Sequence, residues 1–231
     1  MRPMMLWRHE IRRAGWAALL GPPVAVAAGA GLSLTGSSPN DAEAARVLLG
    51  TLEMAVPLVA GVASASLVGR DPAAELQLTM PTRYRSTLVR RLVVAAGSAA
   101  VVAALFAVVL IATGWWHRWP EHHGVVAGQL TWLAPTLAMC AVGFAAGAVF
   151  RGPAAAGAVV TSLWIVQQVL AGVMQQHLLG RLLYLFATTR GAEPGDWPAN
   201  RLTLLGLAAV LIVLALAVLR RTERLITEGD Q

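Results

Sequence analysis

The stretch LVVAAGSAAVVAALFAVVLIAT, residues 92–113, runs for 22 residues without a charge. At 1.5 Å per residue a helix of that length reaches roughly 33 Å, enough to cross about 30 Å of hydrocarbon. A helix on the surface of a soluble domain would carry a polar face, whereas this one offers only Ser98 and Thr113. It reads as a membrane span, and the composition of the whole chain agrees. Of 231 residues, 57% are hydrophobic and 13% charged, about half the roughly 25% charge of an ordinary soluble domain.

Working outward from 92–113, five more charge-poor stretches are long enough to cross. Helices are predicted near 14–34, 47–69, 129–150, 154–175 and 202–219, the second interrupted only by Glu53. The expected fold is all-α: one polytopic transmembrane domain over 1–231, with six spans and both termini on one side. Orientation follows from arginine, because positively charged short loops stay cytoplasmic. Thirteen of the 18 arginines flank the predicted inner ends, and Arg46, Arg118, Arg181, Arg190 and Arg201 fall on the outer side. Both termini are therefore expected in the cytoplasm and the chain in the plasma membrane. The net charge of +6 then marks a membrane face, and nucleic acid is not expected as a partner.

Lysine is absent, which removes P-loop and Schiff-base chemistry. The single cysteine, Cys140, excludes an intrachain disulfide. Arg-rich residues 2–13 precede an apolar stretch as in a secretory signal, but Pro22 and Pro23 interrupt it and its removal would leave an odd number of spans. It is read as a retained first span. Trp115, Trp116, Trp119, Trp132 and Trp197 fall near the predicted outer boundary, and Trp7 and Trp16 near the inner one, as expected for interfacial rings. Pro22–Pro23, Pro57 and Pro135 are expected to kink or break their helices. Gly143 and Gly147, with Gly61, Ala65 and Gly69, carry small-residue spacing that reads as close helix packing.

Between the second and third predicted spans lies RDPAAELQLTMPTRYRSTLVRR, residues 70–91. Asp71 can cap a helix beginning at Pro72, and Pro81 ends it. The resulting helix, 71–80, shows an apolar stripe of Ala73, Leu76 and Met80. Such a stripe can lie on lipid headgroups, dock into a groove of a soluble partner, or rest on the protein's own inner face.

Asp71, Glu75-Leu76-Gln77-Leu78, Pro81, Arg83 and Arg90-Arg91 resemble the loop between spans two and three in the membrane subunits of type-2 ABC exporters. The N-terminal segment containing Trp7, Glu10, Arg12 and Arg13 resembles that family's amphipathic connecting helix. Residues 175–190 resemble its outer re-entrant segment. The resemblance implies a permease subunit that forms a translocation path and is driven by a separate ATPase, with Asp71, Glu75, Leu76, Met80, Pro81 and Arg83 as coupling residues. It also implies two ATPase copies binding ATP and magnesium, no cofactor in this chain, and a second permease copy, as a homodimer, completing twelve spans. The residues agree in one respect: no GxxxxGK[ST] is present, so this chain supplies no P-loop.

Polar residues inside spans are the candidates for the path, because an ionisable group in lipid faces a cavity or a partner. They are Glu53, which could instead snorkel outward or pair with Arg46, and Gln167 and Gln168, which could instead hydrogen-bond across helices. The cluster Trp116-His117-Arg118-Trp119-Pro120-Glu121-His122-His123 offers metal-ligand types without HExxH spacing, so no metal site is assigned. Two rival classes remain. An intramembrane enzyme would need a nucleophile or metal constellation that the spans do not show. A non-transporting scaffold or immunity protein would share the topology without needing the 71–80 helix.

Overall fold

The computed structural model describes residues 15–35, 41–69, 84–119, 123–191 and 195–228. Described residues are helical or in turns, with no strand among them. The helices are α1 (Trp16–Thr35), α2 (Asp41–Gly50), a π-helical turn (Thr51–Ala55), α3 (Val56–Gly69), α4 (Tyr84–Ala112), α5 (Leu130–Phe150), α6 (Pro153–Val169), α7 (Ala171–Gln176), α8 (Leu178–Leu183) and α9 (Trp197–Glu228). Short 3₁₀ turns at Trp115–Arg118 and Ala127–Gln129 lie between α4 and α5.

Five helical stretches are long and apolar enough to cross a membrane: Trp16–Ser33, Asp41–Val68, Ser86–Ala112, Ala127–Phe150 and Trp197–Arg220. The chain is an all-helical, multi-pass membrane protein by length and composition. The sixth stretch differs from expectation. The span anticipated over 154–175 is a 17-residue helix, α6, which stops at Leu170 before the six-residue α7. At 1.5 Å per residue α6 covers roughly 25 Å, short of the hydrocarbon thickness.

Helices α2–α3 and α5 form the centre. Within their span-length windows 61% and 67% of residues are buried, against 17%, 28% and 22% for α1, α4 and α9. The outer helices turn Val24, Leu32, Val101, Leu105, Val108, Leu202, Val210 and Val213 outward, faces suited to lipid. The centre is held by contact between backbones. A Cβ on Gly143 would lie 2.1 Å from the Gly61 carbonyl oxygen, and one on Gly147 2.9 Å from that of Ala65. Glycine is required at 143 because any side chain would force α3 and α5 apart. The spacing expected to serve packing does so, with Gly61 and Ala65 meeting Gly143 and Gly147.

The prolines neither break nor end their helices. Pro22 and Pro23 lie inside α1 and Pro135 inside α5. Pro22 has no N–H for the Ala18 carbonyl four residues back. Ser98 Oγ of α4 donates to that carbonyl at 2.7 Å, so a neighbouring helix satisfies the group that proline leaves open. Before Pro57 the helix widens instead: the Val56 N–H bonds the Thr51 carbonyl, five residues back. The kink expected at Pro57 is thus a π turn at 51–55.

Three contacts gather the connections at one end of the bundle. Arg118 pairs with Asp41 at 3.1 Å, Arg46 Nε donates to the Thr189 carbonyl at 3.0 Å, and His123 stacks on Trp197 with ring centroids 3.7 Å apart. At the other end Arg151, with φ of 53°, reverses the chain from α5 into α6. The tryptophans at the gathered end differ from expectation. Trp116, Trp132 and Trp197 are buried within the protein, donating to the Gly124 carbonyl, Gln129 Oε1 and Thr188 Oγ1 respectively. Each indole N–H has a protein partner, so the rings are packed inward.

Candidate functional site: a buried carboxylate and a folded-back segment

Residues Tyr184–Thr189 are buried yet not helical. Their peptide groups lack a helical ladder, and where water is excluded each unpaired group costs several kcal/mol. Side chains from three surrounding elements supply the bonds. Gln167 of α6 accepts from the Leu185 N–H at 2.8 Å and donates to the Leu183 carbonyl at 3.2 Å. Asn200 Nδ2 of α9 lies 2.7, 3.1 and 2.8 Å from the carbonyls of Arg181, Leu182 and Tyr184. Arg201 Nη1 donates to the Leu185 carbonyl at 3.2 Å.

Glu53 completes the set. It sits at the middle of the π turn with no exposed surface. Its Oε1 accepts from the Thr188 N–H at 2.9 Å and from Arg201 Nη2; its Oε2 accepts from the Thr189 N–H at 2.8 Å and the Thr189 hydroxyl at 2.5 Å. A carboxylate has about four acceptor positions, and all are occupied. Arg201, equally buried, balances the charge, and its guanidinium carbon lies 5.5 Å from the Trp197 ring centre. The Thr188 hydroxyl accepts from Trp197 Nε1 at 2.9 Å and Arg201 Nη2 at 2.8 Å, and donates to Thr131 Oγ1 at 3.5 Å. One carboxylate therefore ties a segment 135 residues away to the central helices.

Aromatic packing seals the same region. Phe186 meets Trp164 and Tyr184 edge-on, at 5.9 and 5.6 Å between centroids, a favoured geometry. Burial pushes the Tyr184 phenol up to about 12; Arg190 opposes the rise and Glu53 adds to it. The phenol stays neutral at ordinary pH.

The sequence-derived residues distribute unevenly over this site. Glu53 and Gln167 converge on the folded-back segment from different helices. Glu53 pairs with Arg201, not with Arg46, which instead donates to the carbonyl of Thr189. Gln168 Nε2 approaches Met54 Sδ at 3.3 Å, while Trp164 Nε1 donates to the Met54 carbonyl at 3.1 Å. Asp71, Glu75, Leu76, Met80, Pro81 and Arg83, with the 71–80 helix, lie outside the described residues, as do Trp7, Glu10, Arg12 and Arg13. Sequence reasoning missed Asn200, Arg201, Thr188 and Thr189. A buried Glu53 demands a cationic partner, and Arg201 is the arginine that opens an otherwise apolar run at 202–219; that signal was present. Among the described residues no group of three or more His, Cys, Asp and Glu could hold a metal ion; His117 is exposed and His123 is stacked on Trp197.

The arrangement is a charge-neutral clamp. The acceptor positions of Glu53 are taken by two backbone N–H groups, a hydroxyl and a guanidinium, so its bonds fix backbone. The chain matches no family model, no curated protein and no solved structure.

Proposed function

We propose that this chain is the permease subunit of an ABC exporter of the type-2 class, with six spans and both termini in the cytoplasm of a plasma-membrane assembly. The observation that carries the reading is the 71–91 pattern, Asp71, Glu75-Leu76, Pro81, Arg83 and Arg90-Arg91, between the second and third apolar stretches. The folded-back segment at 184–189, between α6 and α9, supports it as the counterpart of the outer re-entrant segment. In this reading the 71–80 helix docks on a separate ATPase, two copies of which bind ATP and magnesium. ATP-driven closure of the two shifts the permease pair between inward and outward opening. Glu53 and Gln167 act on the path by holding its outer wall, and Gln168 by contacting Met54 beside it. α6 completes the sixth crossing together with α7.

The test is reconstitution with the ATPase encoded beside this chain. Glu75→Arg with Leu76→Asp is expected to abolish complex formation and permease-stimulated ATP hydrolysis while leaving the purified permease monodisperse. A double variant that binds and stimulates the ATPase as wild type does would refute the proposal.

A further inference from the structure

A cleft of ≈ 580 Å³ opens between α1 and the α2–π–α3 helix, lined by Ala28, Gly29, Leu32, Met54, Arg46 and Arg190 among others. Its two kinds of lining are segregated by position. Arg46 and Arg190 are exposed and belong to the gathered end of the bundle, where Arg46 holds Thr189. From Arg46 the wall runs down the helix to Met54, about 12 Å at 1.5 Å per residue. On the facing helix Ala28 and Gly29 continue the groove beneath Leu32. The deeper wall is apolar apart from Thr51, whose hydroxyl donates to the Val47 carbonyl at 2.9 Å.

The cleft exists because α1 presents small side chains there. The Gly29 position allows α1 to approach Thr51: a Cβ on Gly29 would lie 1.9 Å from Thr51 Oγ1. Alongside this contact Ala25 and Ala28 leave the volume unfilled. Arg46 commits one donor to Thr189 and has four more. Among the described residues neither Arg46 nor Arg190 forms an ion pair with a carboxylate. A groove with two guanidinium groups at its mouth and an apolar floor extending about two helical turns inward is complementary to an anionic headgroup on an acyl chain. A zwitterionic lipid would bring its own cation against the two arginines, and a free anion would leave the apolar floor uncovered.

We propose that this cleft binds an anionic phospholipid of the surrounding bilayer, its phosphate between Arg46 and Arg190 and one acyl chain along Ala28, Leu32 and Met54. The site does not depend on the exporter reading. Thr189, the last residue of the buried stretch, and Arg190, which directly follows it, both line the cleft, so an occupied cleft braces the folded-back segment from outside while Glu53 holds it from within.

Native mass spectrometry of the detergent-solubilised chain tests this with three probes: phosphatidylglycerol, phosphatidylcholine of the same acyl chains, and inorganic phosphate. Wild type is expected to retain one phosphatidylglycerol in preference to phosphatidylcholine. Arg46→Gln with Arg190→Gln should weaken that binding roughly thirtyfold, the value for two interfacial charges. Arg190→Gln alone alters an exposed side chain, keeps the Arg46–Thr189 bond and should account for about fivefold of the loss. Ala28→Phe fills the floor, keeps both charges, and should also reduce retention. Equal retention of the two lipids by wild type overturns the proposal. So does phosphate retention that matches the lipid's, lipid binding unaffected by Ala28→Phe, or a cleft occupied by a second copy of the chain, seen as a dimer that retains no lipid.

Discussion

Removing the Glu53 side chain tests the clamp most directly. In Glu53→Ala the Arg201 guanidinium keeps its charge in a site with no exposed surface, and the Thr188 and Thr189 N–H groups lose their acceptors. Breaking a buried ion pair from one side costs about 3–5 kcal/mol, and the orphaned peptide donors place the expectation at the upper end of that range. Glu53→Gln is nearly isosteric yet should recover little. Each carboxylate oxygen accepts from two donors, so an amide nitrogen on either side must face at least one backbone N–H. At about 2–4 °C per kcal/mol for a chain of this size, both variants should melt on the order of 10 °C lower. Glu53→Leu with Arg201→Met removes both charges and should recover the part of the loss that comes from the unpaired guanidinium, while the Thr188 and Thr189 N–H groups stay without acceptors. The assay is thermal unfolding in detergent, followed by size exclusion, with wild type, Glu53→Leu, Arg201→Met and the double variant forming a double-mutant cycle. A Glu53→Ala protein melting within about 2 °C of wild type, or a double variant whose loss equals the sum of the singles, would refute the assignment.

Other outcomes follow from single contacts. Gly143→Leu places a Cβ 2.1 Å from the Gly61 carbonyl and should abolish monodisperse expression, whereas Gly157→Leu, at a position with open space around it, should be tolerated. Ser98→Ala removes the donor to the Ala18 carbonyl and should lower stability by about 1 kcal/mol. Restoring the backbone donor with Pro22→Ala in the Ser98→Ala background should return part of it, measured by the same melts. The Tyr184 hydroxyl is buried with no hydrogen-bond partner among the described residues, so Tyr184→Phe should leave the melting temperature unchanged or raise it. A loss above about 1 kcal/mol would show that the hydroxyl is satisfied in solution.

The elements most legible in sequence were those whose signal is local. An uncharged run such as 92–113 announces its own environment, and α4 spans it with two additional turns at its start. Gly61 and Gly143 announce close packing through spacing alone, although which helix meets which is not local information. The site was half legible for a related reason. Glu53 stood out as a charge in an apolar run, but its partner lies 148 positions away and looked like one more arginine at a span boundary. Arg46 was nearer in sequence and pointed to the wrong pairing, because a helix separates neighbours by rotation as well as by distance. The tryptophans show the same limit: position in sequence placed them near the bundle end, whereas facing inward or outward depends on the folded partners of their N–H groups. The π turn was foreshadowed by Pro57, which sequence could flag as a disturbance without saying whether the helix would bend or widen.

The neutrality of the Glu53–Arg201 pair has a consequence for a protein whose helices are built to cross a membrane. A single elementary charge carried across a membrane exchanges about 2.3 kcal/mol for every 100 mV, enough to bias any loop that bears it. Two opposite charges moving together exchange almost nothing. Held as a pair, Glu53 and Arg201 give the clamp no net charge of its own on which a membrane potential could act. Glu53→Gln would leave the Arg201 charge uncompensated, so that a potential would act on α9 at the point where it meets the folded-back segment.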